Sequence, residues 1–102
     1  MKWYVLAFFV SLIFPVFAQA KTGNELKELA LADAQGFKEG VFFGYVEAVT
    51  DARYRELCIP KGVTRQQAVD VVKKFLFDNP ATLHLPADDL VVRALRSAWP
   101  CK

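Results

Sequence analysis

The chain has 102 residues, 54% of them apolar, and its 13 basic and 11 acidic side chains leave a net charge of +2. Because both signs are interspersed along the chain, nucleic acid is not an expected partner. This length supports one hydrophobic core, which excludes a two-domain enzyme with a deep cofactor cleft between lobes.

The first twenty residues have the features of a secretory signal peptide. Lys2 is followed by an apolar run from Trp3 to Phe17, and Ala18-Gln19-Ala20 matches a small-x-small cleavage site. We therefore predict that residues 1–20 are removed on export. Residues 21–102 would then form a single domain in the periplasm, with no membrane contact after cleavage. A retained membrane anchor is the alternative, because the uncharged stretch is just long enough to span a bilayer.

Apolar residues at helical spacing predict two helices in the first half of the mature chain. The first covers residues 24–35, with Asn24 as its N-cap. The second runs from Phe37 to about Arg53. Its inward stripe comprises Phe37, Val41, Tyr45 and Val49, widened by Phe42 and Val46. Small residues recur beside that stripe and predict close packing inside a soluble bundle, with a membrane dimer seam as the alternative. These small residues are Gly36, Gly40, Gly44, Ala48 and Ala52.

Two further helices are predicted in the second half. Thr64 and Gln67 form a capping box that begins the third helix, which runs to about Asp78. The fourth begins near Pro86 and ends near Trp99. The fold class is therefore all-α, a small bundle of about four helices with one disulfide. The predicted inner face of the last helix comprises Ala87, Leu90, Val91, Ala94, Leu95 and Ala98.

The mature chain has two cysteines, Cys58 and Cys101, in a compartment where disulfides persist. A single bridge is the simplest pairing, and its loop predicts a stabilisation of roughly 4 kcal/mol on the chain-entropy model. A catalytic thiolate at Cys58 is the alternative. Its one possible imidazole partner is His84.

The residues that carry catalysis are scarce. The mature chain has one serine, Ser97, and one histidine, His84. This supply is too small to predict a hydrolytic triad. The Asp88-Asp89 pair is better explained by the start of a helix than by paired catalytic carboxylates. We therefore predict no enzyme, no metal site and no cofactor. His84 itself is either a partly buried residue bonded to a helix end or an interface contact.

Three runs of the sequence carry a family resemblance when they are taken together. They are FFGYVEAVTDA (Phe42 to Ala52), CIPKGVTRQQAVDVVKKFLFDNP (Cys58 to Pro80) and LHLPADDLVVRALRSAWPC (Leu83 to Cys101). The matching elements include Gly44-Tyr45, Cys58-Ile59-Pro60, the Thr64 to Gln67 cap and Pro100-Cys101. In these elements the chain resembles the Tai/Rap family of small periplasmic immunity proteins of type VI secretion.

The resemblance implies a helical protein that binds and blocks a peptidoglycan-cleaving amidase delivered into the periplasm by a neighbouring cell. Family members commonly work as dimers, so the expected partners are a cognate amidase effector and a second copy of the chain. Occlusion of a preformed cleft requires surface complementarity and no chemistry of the inhibitor's own.

The matching residues resemble scaffold, so the predicted binding residues lie elsewhere. The stretch Arg53-Tyr54-Arg55-Glu56-Leu57 is the first candidate, because Tyr and Arg are common interface anchors and Cys58 tethers the loop. A plain solvated loop is the alternative. The turn from Ala81 to His84 is the second candidate.

Two other functions fit a small exported helical protein with one bridge. An acid-stress periplasmic chaperone of the Hde type would expose apolar surface when its carboxylates are protonated. A structural envelope protein would bind neither a toxin nor unfolded clients.

Overall fold

The computed structural model describes residues 21–31 and 36–102, and in these residues the chain forms four α-helices and no strand. Two 3₁₀ turns, Tyr54–Glu56 and Pro80–Thr82, precede the third and fourth helices. The all-α prediction is confirmed. The predicted signal peptide, residues 1–20, lies outside the described residues, and none of the described helices is long and apolar enough to cross a membrane. The helices are α1 (Gly23–Ala30), α2 (Phe37–Ala52), α3 (Arg65–Asp78) and α4 (Ala87–Ala98).

Capping boxes begin α1 and α3. Before α3, Thr64 Oγ1 accepts from Gln67 N at 3.1 Å and Gln67 Oε1 accepts from Thr64 N at 2.7 Å, as predicted. The N-cap predicted for α1 is wrong. Thr22, two residues before Asn24, caps the helix by the same reciprocal pattern with Glu25. Thr22 is favoured because a threonine followed three residues later by a glutamate provides acceptors for two backbone N–H groups at the start of the helix.

The core lies between the four helices. Most residues of the predicted inner face of α4 are buried in it. The last residue of that face is an exception. Ala98 is exposed, because it closes the helix and the next residue, Trp99, occupies the half-buried position against the core. The fully buried leucines are Leu26 of α1, Leu76 of α3, and Leu90 and Leu95 of α4.

The inward stripe predicted for α2 is confirmed at Phe42, Val46 and Val49, which are buried. It is wrong at Phe37, which is 88% exposed, and the close packing predicted for the small residues is also wrong. A Cβ added at Gly40 or Gly44 would meet nothing within 4 Å. Apolar residues surround most of α2, so its sequence allows more than one inward face, and the larger side chains bury more apolar area than the small ones. The small residues Gly36, Gly40, Gly44, Ala48 and Ala52 are all exposed, and we call them the small-residue face of α2.

The segment before α1 is bonded to the segment before α4. Gly23 N donates to Leu85 O at 2.9 Å, and Ala87 N donates to Lys21 O at 2.7 Å. A side chain at Gly23 would overlap Leu90 Cδ1, and its Cβ would lie 2.9 Å from Leu83 O. The close approach of the two segments therefore requires glycine at this position.

Candidate partner-binding surface

The first predicted binding segment, Arg53 to Leu57, lies in an ordered turn between α2 and α3. We call residues 53–58 the 53–58 turn. Its 3₁₀ geometry is held by backbone hydrogen bonds from Glu56 N to Arg53 O (2.9 Å) and from Leu57 N to Tyr54 O (3.0 Å). Arg53 N still donates to Val49 O at 2.9 Å, so the turn continues directly from the last turn of α2. The segment therefore has a defined backbone conformation.

The guanidinium of Arg53 binds three carboxylates. Its Nε and Nη2 each donate to a different oxygen of Glu56 at 2.7 Å, and Nη1 donates to Asp88 Oδ2 at 3.1 Å and Asp89 Oδ1 at 2.8 Å. The fork with Glu56 is the bidentate geometry that makes arginine–carboxylate pairs strong and directional. We call these four residues the Arg53 cluster. It joins the 53–58 turn to the first turn of α4.

From the sequence, Asp88 and Asp89 were expected to interact with the helix dipole at the start of α4. Their pairing with Arg53 was not predicted. The pairing joins residues 35 and 36 positions apart, a separation at which no periodic pattern reports contact. The available signal was weak: an arginine directly after an apolar helix and a pair of acids at the start of another helix.

The electrostatics of the Arg53 cluster follow from its hydrogen bonds. The bonds to Glu56 and then Asp89 raise the pKa of Arg53, so the guanidinium stays charged at all ordinary pH values. The same bond lowers the pKa of Glu56 below its ordinary range. Burial raises the pKa of Tyr45, and the charges of Asp88 and Asp89 raise it further. With three carboxylates against one guanidinium, the cluster carries excess negative charge at neutral pH.

A disulfide anchors the other end of the turn. Cys58 and Cys101 are bonded, with their Cα atoms 5.3 Å apart and 43 positions between them in sequence, which confirms the predicted bridge. Both residues are exposed, and the described residues contain no free cysteine. Because Cys101 follows α4 by three residues, the turn is fixed near both the start and the end of that helix.

Between these anchors, Tyr54 and Arg55 project outward. Tyr54 is 68% exposed, and Arg55 is exposed with no ion pair to any described residue. His84 is also exposed, and in the described part of the chain no hydrogen bond or ion pair joins it to the 53–58 turn. The structure thus separates the predicted set into an ion-paired couple, Arg53 and Glu56, two outward residues that have no ion pair within the described residues, and a histidine in a different turn.

An open groove of about 580 Å³ lies between the 53–58 turn and α4. Buried Val92 lies among its lining residues, with Arg93 and Arg96 on the exposed side of α4. A smaller apolar cavity of about 170 Å³ lies beside the Glu47–Arg65 ion pair (2.9 Å). Within residues 21–31 and 36–102, no group of three or more His, Cys, Asp or Glu side chains is placed to hold a metal ion.

Comparison with known proteins identifies a family for the whole helical domain. The model of the Rap1a immunity proteins matches residues 22–101, from the N-cap of α1 to the second disulfide cysteine. No curated protein and no solved structure gives a significant match. Since the family match covers all four helices and the bridge, the chain belongs to the family of Rap1a immunity proteins.

Proposed function

We propose that this protein is a periplasmic immunity protein that binds a peptidoglycan-cleaving amidase toxin of type VI secretion and inhibits it by occluding its active site. The family match over residues 22–101 carries the proposal. The amidase as target rests on the resemblance to the Tai/Rap proteins. An inhibitor of this kind acts by binding alone, which is consistent with the scarcity of catalytic side chains in the sequence.

We propose that Tyr54 and Arg55 contact the toxin. Tyrosine and arginine are the residue types most often found to dominate binding energy at interfaces, and both side chains are exposed here. The turn that carries them is held by the Arg53 cluster and by the disulfide. An ordered turn loses less conformational entropy on binding than a free loop does. His84, exposed before α4, is proposed as a second contact.

The test begins with a search of the adjoining reading frames for a papain-like Cys-His amidase, and an amidase found there is then assayed for inhibition. The mature protein should block hydrolysis of purified peptidoglycan at a fixed stoichiometry. Replacement of Tyr54 and Arg55 together by alanine should leave helical content unchanged and weaken binding by about 2 kcal/mol, on the order of thirtyfold.

The matched control changes an exposed aromatic and an exposed base on α3, Phe77→Ala with Lys73→Ala, and should retain affinity. Undiminished affinity of the Tyr54/Arg55 variant would move the contact elsewhere, first to the 81–84 turn. An amidase that the wild-type protein neither binds nor inhibits would reject the immunity function. Protection of many unfolded clients below about pH 4, where carboxylates protonate, would favour the chaperone instead.

We also propose export through a cleaved signal peptide, with Lys21 as the mature N-terminus. The family match begins at residue 22, and the carbonyl of Lys21 already bonds to Ala87 N. The domain therefore needs nothing before Lys21 to complete these bonds. N-terminal sequencing of periplasmic protein should find Lys21 first, whereas Met1 retained in the membrane fraction would reject both cleavage and localisation.

A homodimer, as the resemblance implies, is proposed to form through the small-residue face of α2. That face is exposed, with Glu47 and Asp51 on the same side of the helix, and glycines allow helices to approach closely. Light scattering should give twice the monomer mass at high concentration. Gly44→Arg should return the protein to monomer without loss of helix, and a wild-type monomer at every accessible concentration would reject the dimer.

A further inference from the structure

We propose that Arg53 and Glu56 are positioning residues, which hold the 53–58 turn against α4 so that Tyr54 and Arg55 are presented to the partner. The inference rests on the proposed binding role of the turn. It assigns different roles to the four neighbouring residues that sequence analysis grouped as one contact surface.

The hydrogen-bonding capacity of Arg53 supports this division. A guanidinium has five N–H donors, and four are used: one each from Nε and Nη2 to Glu56, and two from Nη1 to Asp88 and Asp89. A partner could accept from the one remaining N–H of Nη2, but any further contact with the guanidinium would require these bonds to break. Arg55, two residues later, has no such partners among the described residues and remains available.

The burial of the same side chains points in the same direction. The Arg53 side chain is 27% exposed, whereas Tyr54 is 68% exposed. Arg53 therefore lies between the turn and the start of α4, while its neighbour lies at the surface. A half-buried, ion-paired Arg53 directly before the exposed Tyr54 therefore fixes the point from which the exposed side chains project.

The two anchors of the turn act at opposite ends of α4. The Arg53 cluster binds the first turn of the helix, and the disulfide to Cys101 binds the segment after its last turn. A helix of 12 residues is about 18 Å long, so the anchors are well separated. Without the Arg53 cluster, the turn would keep its backbone bond to α2 and the disulfide but would lose its link to the first turn of α4.

Limited trypsin digestion of the intact mature protein tests the positioning role without any toxin. Trypsin needs a locally opened chain, so the rate of cleavage after Arg55 reports the opening of the turn. Cleavage after Lys73, in the middle of α3, reports opening of the bundle. In Arg53→Gln, cleavage after Arg55 should rise at least about fivefold while cleavage after Lys73 stays unchanged, because only the turn loses its anchor.

The controls separate this role from general stability. Arg65→Gln removes an arginine paired on the surface with Glu47 and should leave cleavage after Arg55 unchanged. Arg53→Lys keeps the charge but not the fork, and should give an intermediate rate. Unchanged cleavage after Arg55 in Arg53→Gln, or an equal rise after Lys73, would overturn the positioning role.

Binding of an amidase found by the search described under the proposed function completes the test. Arg53→Gln should weaken that binding about tenfold, with Tyr54 and Arg55 still present. Selective opening of the turn with undiminished binding would overturn the link between position and affinity. Failure of the wild-type protein to bind the amidase would instead reject the proposed function, and the digestion result would still decide whether Arg53 holds the turn.

Discussion

Gly44→Ala should stabilise the monomer, although Gly44 belongs to a line of small residues that resembles a packing seam. The residue lies in the middle of α2, and a Cβ added there meets nothing within 4 Å. No steric cost therefore opposes the gain in helix propensity, which is about 1 kcal/mol for glycine to alanine in a helix interior. For a domain of this size that gain raises the melting temperature by roughly 4–8 °C.

The assay is thermal and urea unfolding at the lowest protein concentration that gives a signal, where a dimer is dissociated. Gly23→Ala is the matched control, because its Cβ would overlap Leu90 and crowd the carbonyl of Leu83. That variant should lose about 1–3 kcal/mol through overpacking. If Gly44→Ala destabilises the dilute protein, or if the two variants shift stability in the same direction, the assignment of an uncovered α2 face is wrong. A loss that appears only at high concentration would support the dimer.

Three further measurements follow from the structure. Reduction of the Cys58–Cys101 bridge should lower the free energy of unfolding by roughly 4 kcal/mol, and thiols that react with a label before reduction would contradict the bridge. Because Arg53 lowers the pKa of Glu56 in the folded state, that carboxylate contributes stability above its unfolded pKa and loses it as the pH falls through the folded pKa. Chemical unfolding from about pH 5 to pH 3 should therefore show a steeper loss for wild type than for Arg53→Gln, and equal slopes would exclude the coupling. Thr64→Ala should cost about 1 kcal/mol in urea unfolding through loss of the α3 cap, whereas Thr64→Ser should retain most of it.

Features determined by neighbouring residues were predictable from the sequence. The capping box at Thr64 and Gln67 and the inner face of α4 depend on spacings of three and four residues, which a sequence displays directly. The disulfide was predictable because the chain offers a single pairing. Thr22 and Glu25 form the same capping-box pattern as Thr64 and Gln67. The prediction of Asn24 as the N-cap did not take this pattern into account.

Two features were not predictable from residue spacing: which of the apolar residues of α2 are buried, and the pairing of Arg53 with the acids of α4. Apolar residues on both sides of α2 leave its inward face to be decided by the helices around it, so Phe37 is exposed and Phe42 is buried. The partners of Arg53 belong to a helix more than thirty positions away. Single-sequence periodicity contains no information on such contacts, and the division of the 53–58 turn into ion-paired and outward residues depends on them.

The first helix cannot complete its packing until the last helix exists. The backbone of Gly23 bonds to Leu85, and the space beside it is filled by Leu90 of α4. Contacts between distant parts of a chain form late in folding, because closing a long loop costs entropy before the contact is gained. If the chain is exported, as proposed above, and its amino end crosses first, α1 emerges without its partner. The domain can then complete its packing only after α4 has crossed.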